Sequence, residues 1–155
     1  MSDLSEILSI DAVDAHMVVA NKKALFQQLA VAAARLSGVP AKEIAACLNA
    51  REKIGSTGFG GGTAIPHGKV EGLSHVFGYF ARLSAPIDFQ AIDGLPVDLV
   101  FLLLSPVDAG AEHLKALATV SRAFRDRQAL AKLRGARSKD AMFALLAGAD
   151  ARDAA

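Results

Sequence analysis

The sequence has no tryptophan, one tyrosine and one cysteine among its 155 residues. A lone thiol cannot close an internal disulfide, so a reducing compartment is expected. That thiol, Cys47, lies in the apolar stretch Ile44-Ala-Ala-Cys47-Leu48 and reads as a small buried hydrophobe rather than a nucleophile. Charge of one sign is also lacking. Lys and Arg number 17 against 16 Asp and Glu, for a formal net charge of +1. With no basic run either, nothing points to nucleic acid or to an anionic membrane as a partner. Long apolar runs are missing. Leu99 to Leu104 is far too short to span a bilayer, and Met-Ser-Asp-Leu-Ser-Glu at the N-terminus lacks the features of a signal peptide. The expectation is a cytoplasmic protein without membrane insertion.

Apolar residues are plentiful, at 52%, enough to build the core of one domain. A single domain over 1–147 is expected, with 148–155 as a flexible tail because it lacks apolar bulk. Asn21 is placed to cap a helix whose Leu25, Phe26, Leu29, Ala33 and Leu36 recur at helical spacing and which Gly38 stops. Pro40 opens a second helix that runs to about Arg51. Residues 55–62 contain five glycines and read as a loop. Short strands are expected at Thr63 to Ile65 and at His75 to Leu83. The nearly continuous apolar run Val97 to Leu104 predicts a central strand covered on both faces. A long helix begins at Asp108 or Gly110, with Leu114, Leu117, Val120 and Phe124 facing inward. Shorter helices follow at Gln128 to Leu133 and Lys139 to Leu146. This order predicts an α/β fold, a central mixed β-sheet flanked by helices on both faces.

The chemistry concentrates in Arg51-Glu-Lys-Ile-Gly-Ser-Thr-Gly-Phe-Gly-Gly-Gly-Thr-Ala-Ile-Pro-His67-Gly68-Lys69. Glycines allow positive φ and let backbone N–H groups converge on an anion. The named nucleotide motifs do not fit. A dinucleotide fingerprint starting at Gly58 needs glycine at Thr63, and a P-loop ending in Gly68-Lys69 needs glycine there and Ser or Thr at Val70. His67 stands between Pro66 and Gly68, on a turn that presents it to solvent. Neutral imidazole is a competent nucleophile near neutral pH. On residue type alone a turn histidine without chemistry is the commoner case. A zinc hydrolase built on His67, His113 and an Asp would want a ligand pair such as His-Glu-x-x-His, which is absent. An anion-binding module without covalent chemistry stays open. Asp88, Asp93 and Asp98 lack calcium-loop spacing, and Asp93-Gly94 reads as a turn. His16 and His75 have no comparable context.

The run Gly-Gly-Thr-Ala-Ile-Pro-His67-Gly68 resembles the phosphorylation-site signature of the fructose/mannitol-type IIA domains of the bacterial phosphotransferase system. Arg51-Glu-Lys-Ile-Gly-Ser-Thr-Gly58, the run Phe89 to Asp98, and His113-Leu114 match the same pattern in order. Within that family the chain is most similar to the nitrogen-regulatory branch. The resemblance implies that His67 accepts a phosphoryl group at Nε2 from an HPr-like carrier, in a relay fed by phosphoenolpyruvate. Nδ1 would then need a partner, such as a backbone carbonyl. It further implies that His113 and Arg51 stabilise the transferred group. Ser56, Thr57, Gly58, Gly60, Gly61, Gly62 and Gly68 would form the phosphate loop, with Ser56 and Thr57 equally able to satisfy local backbone instead, and no metal or cofactor would take part. Phe59 would dock the carrier if exposed, or else anchor the loop. The implied output is regulation of targets such as sensor kinases or potassium-transport components. A sugar-specific IIA role, passing phosphate to a IIB partner, is the alternative.

Overall fold

The structure is a computed structural model that describes residues 4–148. Two 3-10 turns, Leu4–Glu6 and Ile10–Ala12, lead into strand β1 (Val13–Met17). Helices α1 (Lys22–Ser37) and α2 (Ala41–Ile54) follow, then strands β2 (Gly58–Gly60), β3 (Thr63–Ala64), β4 (His67–Val70), β5 (Phe77–Ile87) and β6 (Val97–Pro106). Helices α3 (Gly110–Arg125), α4 (Arg127–Gly135) and α5 (Lys139–Ala147) complete the described chain. Residues 149–155, most of the expected tail, lie outside the described residues.

The helix boundaries follow local chemistry. Asn21 Oδ1 accepts the Ala24 N–H at 2.8 Å and opens α1. Gly38 ends that helix at φ 81°, a left-handed conformation that glycine adopts without strain. Asp126 caps α4 and Ser138 caps α5 through their side-chain oxygens.

The six strands form one mixed sheet in the order β1-β5-β6-β3-β2, with β4 also on β6. Helices flank both faces, as the alternation of patterns predicts. Strand β6 is central. Nine of its ten residues are buried and only Asp98 is partly exposed, which is what a strand covered on both faces requires. β5 pairs with it antiparallel along one edge, and β3 and β4 run parallel along the other.

That second edge is interrupted. Thr63 and Ala64 register with Leu99 and Val100, and pairing resumes at His67 with Leu103. Between them stand Ile65 and Pro66. Proline has no N–H to give to a ladder, although its carbonyl still accepts the Leu103 N–H at 2.9 Å. His67 therefore opens a short parallel strand rather than sitting on an open turn. Neither β4 nor β1 stands out in the sequence, since both are short and carry polar residues. Strand β5 starts later than expected and runs further, through Pro86. Leu114, expected to face inward, is 66% exposed. The inward stripe of α3 instead runs through His113, Ala116, Val120 and Phe124.

Arg82 on β5 ties the layers together. Its Nε donates to the Ala15 carbonyl of β1 at 3.1 Å. Its Nη1 donates to the carbonyls of Leu133, Arg134 and Ala136 at 3.0, 3.1 and 2.6 Å. Carbonyls at a helix end have no partner within the helix, so this guanidinium closes the end of α4 against the sheet edge. Arg82→Met is predicted to cost about 2–4 kcal/mol of unfolding free energy, because several polar groups lose a charged donor at once. Urea unfolding of the two proteins checks this, and a change below about 0.5 kcal/mol, the range of an ordinary surface substitution, would contradict it.

Candidate functional site

Pro66 presents its carbonyl to β6, so the peptide groups of the preceding residue, Ile65, point to the other side. Its N–H goes to the Thr57 carbonyl at 3.0 Å. Its carbonyl lies 2.7 Å from His67 Nδ1. A carbonyl only accepts, so Nδ1 must carry the proton in this bond. In the neutral ring Nε2 then holds the lone pair. The tautomer follows from the backbone geometry.

A second imidazole stands over the first. His113, in the opening turns of α3, has its ring centroid 5.8 Å from that of His67, with the planes tilted by 48°. It is buried, and its Nδ1 is 2.7 Å from the hydroxyl of Ser105, which is fully buried at the end of β6. The cap residue of α3, Ala109, offers no side-chain oxygen to the first-turn N–H groups. That helix end is favourable to an anion.

Both rings are shifted toward the neutral form. For His67 burial lowers the pKa below the ordinary 6.5; the Ile65 hydrogen bond opposes this, the Arg51 charge adds to the lowering, and Glu52 counters it. For His113 burial again lowers the pKa most, followed by the charges of His67 and Lys69. Arg51 and Lys69 thus place positive potential around two neutral imidazoles, an arrangement suited to a dianionic group. Arg51 also donates from Nη1 to the Gly55 carbonyl at 2.8 Å, closing the end of α2. It therefore serves as a helix-end cation and as a charge felt at His67.

The glycine segment is more internally bonded than its composition suggests. The Thr57 hydroxyl donates to Glu52 Oε1 at 2.6 Å, and the Thr57 N–H reaches the same carboxylate. Ser56 Oγ accepts the Gly58 N–H at 3.0 Å. Gly60, Gly61 and Gly62 all have positive φ and form the turn between β2 and β3. The Gly61 N–H is donated to Asp93 at 3.0 Å, and the Gly61 carbonyl accepts from Arg134, itself paired with Asp98 at 2.9 Å. Asp93 and Asp98 therefore anchor the hairpin. Gly68 lies beside His67, where an added Cβ would collide with Cys47 Sγ. Cys47 is half-buried, donates weakly to the Lys69 carbonyl at 3.4 Å, and has its thiol pKa raised by burial. Phe59 is exposed, with the Arg125 guanidinium 5.9 Å from its ring centre.

The structure thus gathers His67, His113, Arg51, Thr57 and Gly68, and holds Gly60, Gly61 and Gly62 against Asp93, Asp98 and Arg134. Two residues escape a reading of the sequence. Glu52 stands in the last turn of a helix, where an acid opposes the dipole. That mismatch is the available signal, and the structure resolves it through Thr57 and through Lys22, 3.0 Å away. Ser105 is a polar residue ending an apolar strand, eight positions before His113. Among the described residues, no three of His, Cys, Asp and Glu are grouped so as to hold a metal ion. No described helix is long and apolar enough to cross a membrane.

The family model described as "phosphoenolpyruvate-dependent sugar phosphotransferase system, EIIA 2" matches residues 6–149. A protein named nitrogen regulatory protein from Bradyrhizobium diazoefficiens is 46% identical over 93% of this chain and 94% of its own length. The crystal structure of nitrogen regulatory protein IIA-Ntr from Neisseria meningitidis superposes with a TM-score of 0.88 at 38% identity, covering 92% of this chain and 98% of that one. A fructose-specific EIIA component from Haloferax volcanii is 33% identical over 95% of this chain and 96% of its own length.

The depressed pKa values carry a sign. As pH falls through 6.5, the unfolded chain takes up protons on these histidines before the folded one does. The burial of His67 and His113 therefore costs nothing above 6.5, and stability is lost as pH drops from 6.5 through the folded values. An NMR pH titration is predicted to give midpoints below 6.5 for both rings. A midpoint at or above that value for His67 would contradict the electrostatic description.

Proposed function

The chain belongs to the EIIA type 2 family of the phosphoenolpyruvate-dependent sugar phosphotransferase system, and on that premise we propose that it is a phosphoryl-carrier regulatory protein whose acceptor is His67. The observation that supports this reading most is the 2.7 Å contact between His67 Nδ1 and the Ile65 carbonyl. It leaves the Nε2 lone pair as the nucleophile.

The donor is an HPr-like carrier phosphorylated on histidine. The P–N bond of the donor breaks and its electron pair returns to the donor imidazole, while a new P–N bond forms at His67 Nε2. Nδ1 keeps its proton throughout. The ring becomes cationic as the bond forms, and the Ile65 carbonyl stabilises that charge. Such transfers depend on alignment and on neutralising the phosphoryl oxygens. His113, Arg51 and the opening amides of α3 take that part. Ser56 and Thr57 lie in the segment that leads from α2 to the site, the glycines of the β2–β3 turn hold that segment from four register positions away along β6, and Gly68 lets the strand pass close to Cys47.

The domain over 1–147 works in the cytoplasm, in keeping with its single thiol. Its output is a change of surface charge at His67 that target proteins read, with sensor kinases and potassium-transport components as the classes to try first. A phosphoryl group adds charge and acceptors that create or abolish an interface. Likeness to the fructose-specific component supports a second reading, in which the phosphoryl group passes on to a IIB partner. Incubation of the phosphorylated protein with IIB domains separates the two.

His67→Ala is predicted to abolish phosphoryl uptake from a phosphorylated carrier, read by intact mass, while the circular dichroism spectrum is retained. His113→Ala should still be labelled, but about 10²–10³-fold more slowly, the usual effect of removing one preorganised donor. Normal labelling of His67→Ala would overturn the assignment.

A further inference from the structure

Ser105 is fully buried on β6, two residues beyond Leu103, the register partner of His67. Residues two apart on a strand share a face, so Ser105 and His67 project to the same side of the sheet. His113 reaches down to both from α3, with Ser105 Oγ 2.7 Å from its Nδ1 and the His67 ring centre 5.8 Å from its own.

The direction of the Ser105–His113 hydrogen bond decides what His113 can offer. Either the hydroxyl donates to Nδ1, or Nδ1–H donates to the hydroxyl. In the second arrangement the hydroxyl proton needs another acceptor, and among the described residues Ser105 Oγ has no partner besides His113. A buried donor without an acceptor is costly, and such orphans are rare in folded proteins. The hydroxyl therefore donates. Nδ1 of the neutral His113 is then the acceptor, and its proton sits on Nε2.

We propose that Ser105 is a positioning residue that fixes His113 as the Nε2–H tautomer, so that this neutral ring presents an N–H donor to the phosphoryl oxygens. The two histidines are thereby set in opposite tautomers by two different neighbours. Ile65 puts the His67 proton on Nδ1 and leaves Nε2 to attack. Ser105 puts the His113 proton on Nε2 and makes it a donor. Without Ser105, a neutral His113 would divide between two tautomers, and one of them turns a lone pair toward the incoming oxygens. This inference rests on the reading of His67 as the phosphoryl acceptor, but its first test does not.

Nitrogen-15 spectra of the unphosphorylated protein, recorded above the His113 pKa, read the tautomer directly. The expected result is an unprotonated Nδ1 and a protonated Nε2 for His113. An Nδ1–H tautomer in the unsubstituted protein would overturn the proposal, whatever the labelling experiments show. Ser105→Ala is expected to give a mixture of tautomers and to slow phosphoryl uptake about tenfold, the effect of losing one hydrogen bond's orientation. Ser105→Thr, which keeps the hydroxyl, is expected to restore both readouts. A purely structural role would lower the unfolding midpoint of Ser105→Ala and leave tautomer and rate alone; that outcome, or a tautomer change without a rate change, would overturn it. If the unsubstituted protein shows the Nε2–H tautomer yet is never labelled, the acceptor reading fails instead.

Discussion

The candidate site depends on a hydrogen bond from an imidazole to a backbone carbonyl two residues before it. Peptide groups alternate sides along a strand. Pro66 turns its carbonyl to Leu103 of β6, so Ile65 points the other way, with its N–H on the Thr57 carbonyl. The Ile65 carbonyl, on that same side, accepts from the His67 ring. Thr57 in turn is clamped through its N–H and hydroxyl by Glu52, and Glu52 is paired with Lys22. A chain of polar contacts thus runs from the start of α1 to the ring of His67. Each link fixes the next, which is what a preorganised site needs.

Burial favours the neutral form of both rings. At His113 the neighbouring charges act with it, and at His67 the Arg51 charge does so while the Ile65 hydrogen bond and Glu52 oppose it. A neutral ring can attack, and a neutral ring in the right tautomer can also donate. Positive charge from Arg51 and Lys69 is held outside the rings, where, on the proposed function, it would attract a phosphoryl group without protonating the nucleophile. The burial that protects these states centres on β6, whose apolar run is itself buried within the fold and places Leu103 beside His67 and Ser105 against His113.

The parts of the fold with strong periodicity were legible in the sequence. The Asn21 cap and Gly38 stop of α1, the run from Val97 and the helix from Gly110 all follow from spacing and turn chemistry. Strands β1 and β4 were not legible, because they are short, and β4 exists only where the edge of β6 lets it pair. Leu114 misled because the inward stripe of α3 is shifted toward the site and carries a histidine. Within the site, the order of Arg51, His67 and His113 pointed to phosphoryl chemistry through resemblance rather than through spacing. The resemblance led to a backbone carbonyl as the partner of Nδ1, and the structure supplies that of Ile65. Glu52 and Ser105 could not be read that way, because they act through three-dimensional contact with Thr57 and His113.

On the proposed function, backbone geometry at Ile65 selects Nε2 of His67 for phosphorylation. Phosphorus–nitrogen couplings measured on the phosphorylated, nitrogen-15-labelled protein locate the P–N bond on one ring atom. The expected result is phosphorus on Nε2 of His67, with Nδ1 still protonated toward Ile65. Phosphorus on Nδ1, or on the ring of His113, would contradict it.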